Sequence, residues 1–103
     1  MISANDEGVP VGMARVIIDY GYIVYIADVI VRPDYQGMGI GRALMSKVKA
    51  YIDENIAPGQ GKFISLMAAP GKESFYEKYG FIKRPNDTLG CGMTQWMQNE
   101  KMA

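Results

Sequence analysis

Apolar residues come in short alternating or clustered runs over the first third of the chain. Ile2 to Ala4 and Val9 to Ile18 are two such runs, separated by Asn5-Asp6-Glu7-Gly8, residue types that suit a turn. They predict a hairpin. After Asp19-Tyr20-Gly21, a second turn signal, the run Tyr22 to Val31 is dense in Val, Ile and Tyr, which predicts a central strand buried on both faces.

Pro33 cannot continue a central strand, and the loop Gln36-Gly37-Met38-Gly39-Ile40-Gly41 leads into a helical pattern. Ile40, Leu44, Val48, Tyr51 and Ile52 fall at helical spacings, so one apolar stripe is expected on the sheet while Lys47 and Lys49 reach water. That helix is expected to end before Pro58-Gly59. Phe63 to Ala69 reads as the next strand. Pro70-Gly71 separates it from a short helix carrying Phe75, Tyr76 and Tyr79, with Gly80 as a left-handed helix end. A turn at Arg84-Pro85-Asn86-Asp87, a strand around Met93 to Met97 and a polar tail close the chain. The order β-β-β-α-β-α-β predicts an α+β fold with a mixed sheet, as one domain over residues 1–103.

Composition narrows the chemistry. The 103 residues have room for one modest core, and 49% hydrophobic against 21% charged residues is a globular balance. Eleven basic and 11 acidic residues leave no net charge, which argues against nucleic acid as a general partner. With 0 histidines there is neither a local zinc constellation nor a Ser-His-Asp or Cys-His nucleophile, so no metal is expected. Proton transfer falls to Tyr, Asp, Glu, Lys, a terminus or water. Cys91 has no cysteine to pair with and reads as a buried structural thiol. The N-terminal residues show no basic region followed by an apolar run, and no stretch reaches membrane-spanning length. These features predict a soluble cytoplasmic protein with no membrane partner.

A strand, closely spaced glycines and a helix start aim several backbone N–H groups at one point, at the positive end of the helix dipole, where phosphate is attracted. Glycine leaves room for the ligand and permits the backbone angles that turn those N–H groups inward. A dinucleotide fingerprint starting at Gly37 needs a glycine where Arg42 stands, and a Walker loop needs a Gly-Lys-Ser/Thr ending that is absent.

Gln36-Gly37-Met38-Gly39-Ile40-Gly41 fits Q/R-x-x-G-x-G/A and resembles the acetyl-CoA signature of the GNAT family of N-acetyltransferases. Downstream, Phe75-Tyr76-Glu77-Lys78-Tyr79-Gly80-Phe81 resembles the family's FYxxxGF helix and following strand. The resemblance implies that backbone groups of Val29, Ile30 and Val31 pair with the pantetheine arm of acetyl-CoA like an added strand. By the same carry-over, Gln36, Gly37, Met38, Gly39, Ile40, Gly41 and Arg42 form the pyrophosphate site. Tyr76 sits where the family often has a tyrosine that protonates the departing thiolate; a phenol with a pKa near ~10 is protonated at neutral pH. The competing reading of Tyr76 is a ring packed beneath the cofactor, and Phe75 and Tyr79 read as core. The implied reaction is direct attack of a neutral amine on the thioester, polarised by a backbone N–H of the central strand.

The pattern departs from the family at three places. Ala27 and Ile64 to Met67 offer no glutamate base, which leaves Asp28 as the nearest candidate, either aimed into the cleft or accepting backbone hydrogen bonds. Ala69-Pro70-Gly71-Lys72 stands where many relatives place an asparagine. The chain also opens at Met1-Ile2-Ser3-Ala4, within or just after the family's first strand, without the two helices that usually cover one sheet face. An uncovered apolar face predicts a homodimer or another covering partner; the alternative is a start downstream of the native one.

The first expectation is therefore an enzyme that acetylates a primary amine of a small molecule, with peptide or protein N-termini and lysines behind it. The second is a non-catalytic CoA-binding or assembly subunit. A third, an interaction module using Lys78, Lys83 and Arg84, has only three basic residues to support it. Leu89 to Trp96 reads either as acceptor-pocket lining or, with Met97, as core strand.

Overall fold

The computed structural model describes residues 1–99 and divides the chain into two compact units, the first Met1–Met67 and the second from Ala68 onward. In the first unit, β1 (Ile2–Asp6), β2 (Val9–Ile18), β3 (Ile23–Val31) and β4 (Phe63–Leu66) form one sheet in the order β1-β2-β3-β4. The first two pairings are antiparallel, and β3 with β4 is parallel. Helix α1 (Ile40–Glu54) supplies the crossover between the parallel strands.

The first hairpin turns on two residues, Glu7 and Gly8, both with positive φ, so β1 runs on to Asp6 where the turn residues had suggested a wider loop. Asp19 holds the second turn by accepting the N–H groups of Gly21 at 2.8 Å and Ile23 at 3.3 Å.

Helix α1 covers one face of the sheet. Leu44, Met45, Val48 and Ile52 are buried, together with Val11, Ala14, Val24 and Ile26. The expected stripe is thus rotated toward Met45: Ile40 is half-buried at its edge and Tyr51 is exposed beside it. Lys47 and Lys49 face solvent as expected. Gly12 sits directly beneath the helix. A Cβ there would lie 3.0 Å from the Ile30 carbonyl oxygen, 3.2 Å from Ile40 and 3.3 Å from Leu44.

Two bulges adjust the register. Between Ala4 and Asn5 the pairing skips Val11, and between Arg15 and Val16 it skips Ala27. The second bulge changes the parity of β3, so that Val24 and Ile26 before it share the α1 face with Val29 and Val31 after it. The expectation that β3 is buried on both faces is corrected: Ile30 is 53% exposed and Ile23 is exposed too, because α1 layers only one side of the unit's sheet.

The second unit contains α2 (Glu73–Glu77), which continues as a tightened turn through Tyr79 N–H to the Tyr76 carbonyl and Gly80 N–H to the Glu77 carbonyl. Gly80 closes it at φ 88°, the left-handed end anticipated from sequence. Asn86 Oδ1 then organises a turn by accepting from Thr88 and Leu89.

The closing strand is corrected. Residues 93–97 have no regular structure, and Trp96 is 88% exposed, with Met93 and Met97 exposed beside it. Pro85, Gly90 and Gly92 punctuate the approach, and side chains that bury nothing cannot offset the entropy of ordering a strand. Cys91 is likewise exposed rather than buried. The tail at residues 100–103 lies outside the described residues.

Candidate cofactor site

The site in the first unit is built from backbone. β3 pairs with β4 only from Ile23↔Phe63 to Ile26↔Leu66, whereas its pairing with β2 continues to Val31. From Asp28 to Val31 the strand therefore has a partner on the β2 side and none on the β4 side. Ala27, the extra residue of the bulge, has no register partner in either neighbour. An unpaired strand edge is a template for an extended ligand.

Just beyond that edge the chain turns through a 3-10 turn (Pro33–Tyr35) and enters the glycine loop. Gly37 has φ 80° and Gly39, the N-cap of α1, has φ 84°, values that favour glycine. Among the described residues none of the N–H groups from Gly37 to Arg42 has a hydrogen-bond acceptor; the first helical-type bond of α1 is Ala43 N–H to the Gly39 carbonyl at 3.1 Å. The first turn carries no acidic residue and the cap makes no side-chain hydrogen bond. A cluster of unsatisfied donors at a 15-residue helix start, with open space where Gly37 and Gly39 would carry a Cβ, suits a pyrophosphate group.

Side chains fix this loop in place. Gln36 Nε2 donates to the Val31 carbonyl at 3.1 Å, tying the loop to the end of β3, so its side chain braces the site from within. The Tyr35 hydroxyl donates to Asp6 Oδ2 at 2.8 Å and anchors the 3-10 turn to the first hairpin. That hydrogen bond to a carboxylate is the main reason the Tyr35 pKa is raised. Arg32 lies over the Tyr35 ring at 5.9 Å and pairs with Asp34 at 3.5 Å. The Tyr35–Asp6 anchor was not visible in sequence, since it joins residues 29 apart.

Of the remaining candidates, Asp28 forms an ion pair with its cross-strand partner Arg15, Nη2 to Oδ2 2.6 Å, in place of the cleft or backbone partners expected of it. Tyr76 belongs to the second unit, on α2. Its ring meets Phe75 edge-on at 5.1 Å and Phe81 edge-on at 6.3 Å, while Phe75 also contacts Tyr79 at 5.5 Å. Burial raises the Tyr76 pKa, so the phenol holds its proton more firmly than an exposed tyrosine. Phe75 and Tyr79 are half-buried within this aromatic group.

A four-stranded mixed sheet crossed by α1, with a glycine loop at the helix start, places the chain in a known class. It belongs to the GNAT acetyltransferase family: residues 1–83 match the sequence model of the Acetyltransferase (GNAT) domain. An uncharacterised N-acetyltransferase, ycf52, of Porphyra purpurea is 36% identical over 91 residues, covering 87% of this chain and 50% of that protein. Serotonin N-acetyltransferase 2, chloroplastic, of Oryza sativa subsp. japonica is 33% identical, covering 85% of this chain and 42% of that one. A solved structure of a probable acetyltransferase, SA2161, from Staphylococcus aureus superposes with a TM-score of 0.76 at 29% identity, covering 90% of this chain and 68% of that one. The chain spans about half the length of the curated relatives it matches.

Proposed function

We propose that this chain binds acetyl-CoA along β3 and the glycine loop and transfers the acetyl group to a primary amine of a small molecule. The observation that carries the reading is the strand edge from Ala27 to Val31, which has no strand partner on the β4 side and ends at the Val31 carbonyl held by Gln36, followed by the free N–H groups of Gly37–Arg42. The strand edge suits an amide-bearing pantetheine arm, and the helix start suits the pyrophosphate. A bound thioester supplies an electrophilic carbonyl carbon. The bulge at Ala27 offers a backbone position outside both ladders from which an N–H polarises that carbonyl. The amine nitrogen bonds to the carbonyl carbon, the carbon–sulfur bond breaks, and the electron pair leaves on sulfur, which takes up a proton; the family resemblance gives the supply of that proton to the Tyr76 phenol. The amine's proton passes to water or to Asp28.

The name of the rice relative supports a small-molecule amine as acceptor. A non-catalytic CoA-binding subunit is the second reading, favoured by the engagement of Asp28 with Arg15. We propose a homodimer as the working form, because the sheet face opposite α1 remains apolar and exposed.

Calorimetric titration with acetyl-CoA, beside the Gly39→Asp variant, tests the cofactor reading. Binding by the native chain is expected, with at least a hundredfold loss in the variant, whose new side chain brings a negative charge to the anion site and strains a φ of 84°. A folded native chain that does not bind acetyl-CoA refutes it.

A further inference from the structure

The bulge in β3 has two possible positions, and apolar burial does not choose between them. On either side of it the register is set by residues on the α1 face: Ala14 pairs with Val29 and Val16 with Ile26. Ala14 and Ile26 are buried there. Between those two pairs β2 has one residue, Arg15, whereas β3 has two, Ala27 and Asp28. One of the two has to be the extra residue, and either choice keeps Val24, Ile26, Val29 and Val31 on the same face. The observed register sets Asp28 opposite Arg15 and leaves Ala27 as the extra residue.

Charge separates the two registers. Arg15 and Asp28 are the only charged residues of β2 and β3, and they meet at 2.6 Å, Nη2 to Oδ2. With Ala27 opposite Arg15 instead, the guanidinium would face a methyl group and the carboxylate would fall at the unpaired position. A solvent-exposed ion pair contributes little in most settings. Here it acts on two registers that bury the same apolar side chains, so a small contribution is enough to choose.

We infer that Arg15 is a positioning residue for acetyl transfer: acting through Asp28, it fixes the bulge at Ala27. The inference rests on the proposed reading in which the bulge polarises the thioester carbonyl, and it names what puts the bulge there. Moving the extra residue by one place carries the backbone position outside both ladders about 3.3 Å along the strand. Misplacing a reacting group by about 1 Å can cost roughly a hundredfold in rate. Residues from Val29 onward keep their partners in either register, and the donors of Gly37–Arg42 lie beyond them, so cofactor affinity is spared while turnover is not. A carboxylate that takes the amine's proton and one that holds the bulge also differ in what they tolerate. The first fails when the acid is moved to the other strand; the second survives if its partner moves too.

The test reads register and turnover in one set of variants. Nuclear magnetic resonance gives the register, from the cross-strand contacts of residue 15 backbone protons with those of residue 27 or 28. Moving the acid one place back, Ala27→Asp with Asp28→Ala, is expected to bring residue 27 opposite Arg15 and to lower turnover at least tenfold with acetyl-CoA affinity unchanged. Arg15→Asp, which sets like charges opposite each other, is expected to act in the same direction. Adding Asp28→Arg to it restores an opposite pair and is expected to return the native register and turnover within about threefold of the native chain. Arg15→Gln covers the case in which a doubly changed chain loses its circular dichroism spectrum; it is expected to show residue 15 in contact with both 27 and 28. A bulge that stays at Ala27 in the moved-acid variant, or in Arg15→Gln alone, overturns the inference. So does a moved bulge with full turnover. A charge-exchanged chain that regains the register and stays inactive overturns the positioning role and makes Asp28 the proton acceptor. A native chain that binds acetyl-CoA and acetylates no amine overturns the transfer reading and the role in it, while the register contacts still decide whether Arg15 fixes the bulge.

Discussion

The two units of the chain use their residues differently. Every fully buried side chain among the described residues, from Val11 to Ile52, lies in the first unit, whereas the second has a five-residue helix and a half-buried aromatic group. The cofactor groups of the first unit are backbone N–H and strand-edge groups, and the chemical candidate of the second is one phenol. Stability and anion binding should therefore respond most to changes in the first unit, and turnover most to a change in the second.

The largest expected effect follows from the core. Leu44 is 2% exposed on the face of α1 that packs on the sheet, so Leu44→Ala should cost about 2–5 kcal/mol in urea unfolding through lost burial and an unfilled cavity. In a domain whose whole stability is on the order of 5–15 kcal/mol, that is a large fraction. Phe81→Ala, in the second unit, should cost well under half as much. Equal losses would break the comparison.

A smaller effect should separate chemistry from structure. Tyr76→Phe keeps the ring and its contacts with Phe75 and Phe81 while removing the acid. Turnover should fall on the order of a hundredfold, at the low end for general acids, with melting temperature and acetyl-CoA affinity unchanged. The acid works only while protonated, and burial raises its pKa. In the native chain the alkaline loss of turnover from this group should thus lie above the usual ~10 of a tyrosine, and it should vanish in the variant. Unchanged turnover in Tyr76→Phe would remove the phenol from the mechanism and leave the ring as packing.

What was legible in the sequence follows the same division. The four strands of the sheet, α1 and the glycine loop were readable because each depends on local pattern: alternation, helical spacing, and glycines where φ is positive. The bulge at Ala27 was not, since it exists only in the register between β2 and β3 and leaves no mark on either strand alone. The Arg15–Asp28 pair was hidden for the same reason. Cys91 and Trp96 were misjudged because residue type says what a side chain tends to do, while its burial depends on whether another element covers it. The rotation of α1 toward Met45 is an intermediate case: the stripe was visible, and its centre was set by contact with the sheet.

The smallest effect probes the join between core and cofactor loop. Gly12 has no need of an unusual φ; it is required to be small, because a Cβ at that position meets the Ile30 carbonyl oxygen at 3.0 Å. That oxygen belongs to the backbone of β3 and cannot move away cheaply, whereas Ile40 and Leu44 can adjust by rotamer. Overpacking costs about 1–3 kcal/mol, and replacing glycine regains roughly 0.4–1 kcal/mol by restricting the unfolded chain. Gly12→Ala should therefore destabilise by about 1 kcal/mol in urea unfolding. Because the displaced Ile40 is the first residue of α1, the same substitution should weaken acetyl-CoA binding several-fold, a coupling absent from Phe81→Ala. Loss of stability with full affinity would show that the donors of Gly37–Arg42 are positioned by the Gln36 and Tyr35 anchors rather than by the seat of α1 on β2.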